Sequence, residues 1–377
     1  MTESHAWPGL SWGFWDDITE VRSRLAAGAD PDADLGDNRR PLHLAAEWGS
    51  AAVVAELAAL TSDVDAMHDG RTALWIAVQA RNAPHARALA AAGADPWRPM
   101  MGGWSPGRLS LAGPTPDLFT APAGTPDPSP GPRSGSSPGP SPAFPPGSSS
   151  ALSPAFPPGS SSDLSPAFPP GSSPALRPGL SSSGLSSGLS PAEAEAAQEA
   201  HRLITALGSF DDDGDSFCCV SGLTAREAIN RLGGVVIDYE EPDDPDYDDD
   251  NRIVAVTDVP GGCVLSQRYG FLASTPGVSG RLSADTVCYA MYANPKSGNQ
   301  GSIMRDGSTI GSDLHPGGGW SAADDPPAEI LHTYLYRGHS VAYCCFYAGL
   351  RLTDPRPFTG TPDYWVELPD RDWWIFP

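Results

Sequence analysis

Basic residues are scarce. Lysine and arginine together number 23 in 377 residues, against 46 aspartates and glutamates, for a formal charge of -23. A chain that grips nucleic acid neutralises phosphates with clustered Lys and Arg, so no nucleic-acid partner is expected. Long apolar runs are missing as well. Spanning a bilayer takes roughly 18 or more apolar residues in a row, and no stretch of that kind occurs. Residues 1–15, MTESHAWPGLSWGFW, have neither a basic n-region nor a long apolar core. No signal peptide is expected, and a cytoplasmic location follows by default. The 6 cysteines show no C-x-x-C spacing and sit mostly in apolar, strand-like runs, where reduced cysteine acts as a small hydrophobe.

Signatures of catalysis are missing too. No Gly-x-Ser-x-Gly elbow or H-E-x-x-H pattern occurs. Gly102-Gly103 lacks the Gly-Lys-Ser/Thr ending of a phosphate loop. His315, His332 and His339 have no nucleophile placed beside them in sequence. Ser209–Val220 imitates the start of a calcium loop through Asp211, Asp213 and Gly214, but Val220 stands where a bidentate Glu is needed. No catalytic residue, metal or cofactor is assigned.

What is present is a repeat. Arg40-Pro41-Leu42-His43-Leu44-Ala45 and Thr72-Ala73-Leu74-Trp75-Ile76-Ala77 are one phrase 32 residues apart, and Ser105 opens a degraded third copy 33 residues later. Gly28-Ala29-Asp30-Pro31 recurs as Gly93-Ala94-Asp95-Pro96. A period near 33 with this opening resembles ankyrin repeats. The resemblance covers residues 16–99 and is clearest over 37–66 and 67–99. It implies helix pairs that cannot bury their apolar faces alone and therefore stack. Pro41 suits a first helical turn. Leu42, Leu44, Ala45, Val53, Val54 and Leu57 fall on the seam. His43 would bond the neighbouring turn. Trp7, Trp12, Phe14 and Trp15 would cap one end of the stack, and Trp97–Phe119, with a stub helix at Arg108–Ala112, would close the other.

The resemblance also implies a protein partner held on the turns and inner helices. Candidate protein-binding residues there are Arg39, Trp48, His68, Arg71, Trp75 and Arg81, since Trp and Arg dominate interface energetics. Trp75 replaces the motif histidine, so packing between repeats competes with binding for its side chain.

Composition divides the chain into 1–119, 120–189 and 190–377. The middle part is rich in Pro, Ser and Gly. SPAFPPGSSSAL at 141–152 recurs at 153–164 and 165–176 with small changes. Each unit has only Phe and Leu to bury, which cannot offset ordering entropy, so a disordered tether is expected. From Ser190 order resumes. Ser190-Pro191-Ala192-Glu193 and Thr224-Ala225-Arg226-Glu227 are capping boxes, with Gly208 and Gly233 as helix stops. Strands are expected at 217–220, 253–259, 262–267, 287–293, 302–305 and 341–352, helices at 278–284 and 328–336, and a hairpin at Asp306-Gly307. Tyr364, Trp365, Trp373, Trp374 and Phe376 would pack on the sheet.

The fold class is therefore multidomain: an all-α ankyrin stack, a linker, and an α+β domain with an antiparallel sheet. Phe217–Thr224, Ile229–Gly234, Gly262–Leu265 and Leu282–Tyr289 resemble a domain of high-GC actinobacteria that accompanies short ankyrin stacks, and that resemblance implies no activity. Asp238–Asp250, DYEEPDDPDYDDD, is either a solvated loop or a lure for a basic protein. Three functions follow: a scaffold whose stack binds a protein and tethers the second domain; an enzyme or effector domain at 209–377 targeted by the stack; or an immunity or regulatory protein held to a basic partner by its acidic loop.

Overall fold

The computed structural model describes residues 7, 13–120, 188–241 and 252–376. The 12-residue repeats, Trp12 and the acidic positions 242–250 lie outside the described residues.

The first part is a run of short helices: α1 Ile18–Ala26, α2 Pro41–Trp48, α3 Ala51–Leu60, α4 Ala73–Gln79, α5 Ala83–Ala91 and α6 Pro106–Ala112. A two-stranded finger, β1 Met67–His68 with β2 Arg71–Thr72, precedes α4. Each start has a local cause. Asp17, Ser50, Thr72, Asn82 and Ser105 accept backbone N–H bonds at their helix N-termini, satisfying donors a helix leaves orphaned. Val53, Val54 and Leu57 on α3 and Leu74, Ile76 and Ala77 on α4 are buried between successive pairs. At the leading end Trp7, Phe14 and Trp15 cluster, with ring centroids 4.9–6.0 Å apart. The Trp7 indole donates to the Asp30 carbonyl at 2.8 Å. These rings cover the end of the stack as a cap requires.

The second part opens with α7 Pro191–Leu207, bounded by the Ser190–Glu193 capping box and Gly208. There follow β3 Ser216–Ser221, α8 Ala225–Leu232, β4 Val235–Ile237, β5 Ile253–Val259, β6 Gly262–Gln267, α9 Pro276–Leu282, β7 Val287–Asn294, β8 Gly298–Arg305, β9 Ser308–Leu314, α10 Pro327–Leu335, α11 Ser340–Tyr347, α12 Arg356–Thr359 and β10 Tyr364–Glu367. The strands form one antiparallel sheet in the order β4-β10-β5-β6-β3-β7-β8-β9.

Register explains why its central strands read as unbroken apolar runs. Cys219 lies opposite Val264 and Tyr289, and Cys218 opposite Leu265 and Ala290. The first three belong to one core and the second three to another, because alternate residues face opposite sides of a sheet. Both faces are covered, and both are apolar. All six cysteines are free and buried.

Three expectations are corrected. Residues 341–352, read as a strand, contain helix α11, which ends where Gly349 takes φ +71°. A short apolar run of Val, Cys, Phe and Tyr does not distinguish strand from buried helix. Packing decides it: Val341, Ala342, Cys344 and Cys345 are all buried, and the Cys345 thiol lies 3.7 Å from that of Cys219 on β3. Tyr364 and Trp365, expected to lie on the sheet, are part of it, as β10 paired between β4 and β5. Trp373 is buried beneath the sheet, whereas Trp374 and Phe376 are exposed.

The stack and the second part are not separated. One apolar core runs from Trp7 through Leu89 and Leu109 to Leu203, Tyr289 and Phe358. The described residues accordingly form one compact unit.

Candidate protein-interaction surface

The third residue of each inner helix carries the logic of the site. In α2 it is His43. Its Nδ1 accepts from the Arg40 N–H at 3.0 Å, and its Nε2 donates to the Ala66 carbonyl at 3.0 Å. Burial pushes its pKa down to about 4, so the ring is neutral and the donor nitrogen is fixed. In α4 the same place is taken by Trp75, wholly buried, whose indole N–H donates to Gln79 Oε1 at 2.9 Å. Gln79 then donates to the Ser321 hydroxyl at 2.8 Å. In α6 it is Arg108, which grips both oxygens of Glu193 on α7 at 2.6 Å. The first of these residues binds the next repeat, and the last binds the second part of the chain.

Aspartates knit the fingers on the opposite edge. Asp32 accepts from the Ser62 N–H at 2.8 Å and from Arg40 at 2.9 Å, and also from the Thr61 hydroxyl. These bonds hold its carboxyl below the usual range despite partial burial, which acts in the opposite sense. One repeat later, Asp65 accepts from the Asp95 N–H at 3.1 Å.

The predicted binding residues divide into two groups. Trp75 and Arg81 are turned toward the chain's own second part. Arg81 donates to the Tyr334 and Leu335 carbonyls at the end of α10, both at 2.7 Å. Arg71 places its guanidinium 5.8 Å from the Trp320 ring, which Arg337 also covers at 4.3 Å. The Trp104 indole, which was not singled out from sequence, donates to the Pro327 carbonyl at 2.9 Å. Gly113 lies so close to Tyr334 that an added Cβ would come within 2.0 Å of its hydroxyl.

Of the other three, Trp48 faces outward, while Arg39 and His68 are half-buried. Trp48 is 52% exposed at the end of α2. Arg39 stacks on it at 4.8 Å and pairs with Glu47. His68 is held through Nδ1 to the Asp37 carbonyl at 2.9 Å, with its ring 5.7 Å from His43. Met67, beside it in sequence, is 41% exposed.

The spacing, the His43 bond across repeats and the stacked pairs agree with the comparison to known families, which matches residues 17–100 to ankyrin repeats in three copies. These residues are ankyrin repeats. Such a stack is a protein-interaction module. A curated protein similar to this chain is the zinc finger CCCH domain-containing protein 50 of Oryza sativa subsp. japonica, 38% identical over 125 residues. The match covers 28% of this chain and only 19% of that protein's length.

Among the described residues, no helix is long and apolar enough to cross a membrane. No group of three His, Cys, Asp or Glu side chains there is placed to hold a metal ion. His332, one of the histidines weighed for chemistry, packs its ring 4.4 Å from that of Phe346, and burial pushes it down to about 4.

Proposed function

We propose that the chain is a protein-binding module whose ankyrin stack and sheet domain act as one body, with Trp48 and Arg39 as its outward anchor. The observation that carries this is the exposed Trp48 ring, already ordered by a guanidinium 4.8 Å away that is itself pinned to Glu47. An anchor held before binding loses little entropy on association, and Trp and Arg supply most interface energy. His68 extends the same edge, while Arg71 is turned to the Trp320 ring. Trp75 and Arg81, expected to be anchors as well, are occupied by residues 321–335, so they would contribute by holding the surface rigid.

The partner is read as a protein rather than a nucleic acid, since the chain's -23 charge repels phosphates. The same charge would draw a basic protein, with Asp238–Asp250 as its strongest local source. The cytoplasmic location and the kinship of residues 209–350 with an actinobacterial domain belong to this reading too.

The test is crosslinking capture with the full chain, followed by Trp48→Ala together with Arg39→Ala. The double variant is expected to lose the captured protein, while Trp374→Ala, at another exposed tryptophan, retains it. Undiminished capture by the double variant retires the anchor.

A further inference from the structure

A cavity of about 330 Å³ opens on the sheet face that carries Phe217, between the loop before β3, the end of β6, α12 and β10. Its volume is at the low end of ligand sites, roughly 300–1,000 Å³. Its wall joins two kinds of group. Phe210 stacks on Phe358 at 5.7 Å, and Trp365 adds a third ring. Asp211, Asp215, Glu241 and Arg268 supply charge. Arg268 is answered by Glu241 at 3.7 Å. Three carboxyls thus face one guanidinium, an excess of negative charge in the wall.

Asp215 is the unusual member. It is only 6% exposed, and its backbone is pinned to β7 through the Ala293 N–H at 2.9 Å. One carboxyl oxygen accepts from the Tyr269 N–H at 3.1 Å. The other makes no hydrogen bond among the described residues. A carboxylate taken out of water needs a counter-charge or must stay neutral. Aromatic faces add attraction for a cation but none for an anion.

We propose that this cavity binds an alkylammonium or guanidinium group, with the charge against Asp215 and the stem along Phe210, Phe358 and Trp365. The cation comes either from a free amine or from a Lys or Arg side chain of another protein. The proposal is independent of the ankyrin surface. Burial raises the Asp215 pKa to about 7, opposed by the Tyr269 N–H and Arg268 and reinforced by Asp212 and Glu241. The ionised form therefore fills in between pH 6 and 8, and cation binding strengthens over that interval.

The experiment uses the full chain, with tryptophan fluorescence and calorimetry as readouts. Putrescine represents the free amine, Nα-acetyl-lysine methylamide the side chain, and acetate the anion control. Saturable binding of at least one cation at pH 8 is expected, weakened up to about tenfold at pH 6 and lost in Asp215→Asn. Thr359→Lys, at an exposed position on the rim, places the protein's own ammonium in the cavity and is expected to abolish binding while circular dichroism stays native. It keeps the test decisive if Asp215→Asn unfolds. Tighter binding of the lysine derivative assigns the site to a partner's side chain, and tighter binding of putrescine assigns it to a free amine. Binding of acetate alone, no saturable cation binding at pH 8, or undiminished binding in Thr359→Lys overturns the proposal.

Discussion

The Arg81 guanidinium sits 2.7 Å from each of the last two carbonyls of α10, those of Tyr334 and Leu335. A helix C-terminus carries orphaned carbonyls and partial negative charge, and here an arginine from the ankyrin stack answers both. A residue type that ordinarily binds partners is used within the chain.

Arg81→Ala removes the donor and leaves two partly buried carbonyls unanswered. The expected cost is about 2–3 kcal/mol. The backbone adds a second effect, because Arg81 has φ +57°, a conformation that favours glycine. Arg81→Gly is therefore expected to be less destabilised than Arg81→Ala, by about 1 kcal/mol. Urea unfolding of the three proteins measures this order, and equal midpoints for Ala and wild type would show the contact to be idle.

Gly113 makes a steric prediction. Its backbone lies in ordinary extended space, φ -99° and ψ -166°, so alanine is not strained there by itself. The Tyr334 ring blocks it, with hydroxyl and ring carbons 2.0–2.7 Å from a built Cβ. Gly113→Ala is expected to cost about 1–3 kcal/mol by overpacking. Adding Tyr334→Ala should make the second change non-additive. A double-mutant cycle reads the coupling, and strict additivity would mean that the two residues do not touch.

His43 predicts acid sensitivity. Its pKa is about 4 folded, against 6.5 for an ordinary histidine. The unfolded chain therefore takes up the proton first as pH falls. The stabilising contribution is complete above pH 6.5 and is lost between there and pH 4, by on the order of 3 kcal/mol. His332, with a similar shift, adds to the slope. His43→Gln is expected to be less stable at pH 7 but to lose less on acidification. Denaturant midpoints from pH 7 to 4 test this, and parallel curves would show that His43 protonates alike in both states.

Much of the chain was legible because its signals are local. The caps at Ser190 and Thr224, the stops at Gly208 and Gly233, the Asp306-Gly307 turn and strands 253–259 and 262–267 were each set by a few neighbouring residues, and the structure keeps them. Residues 341–352 were misread because Val, Tyr, Phe and Cys favour a strand locally, and only the neighbouring sheet face selects the helix. Nothing local marked Asp215 as buried, since it follows three aspartates at 211–213 in a polar stretch.

The sequence alone determined the ankyrin period, the ordering of helix pairs before strands, and the net charge of -23, because each depends on composition or on spacing within one repeat. Tertiary structure alone decided that Trp75 and Arg81 face inward, that Arg108 meets Glu193, and that rings and carboxyls from four separate segments enclose one cavity. Arg108 and Glu193 are 85 positions apart and Arg81 and Tyr334 are 253 apart, and no local pattern encodes which distant surface will cover an apolar face.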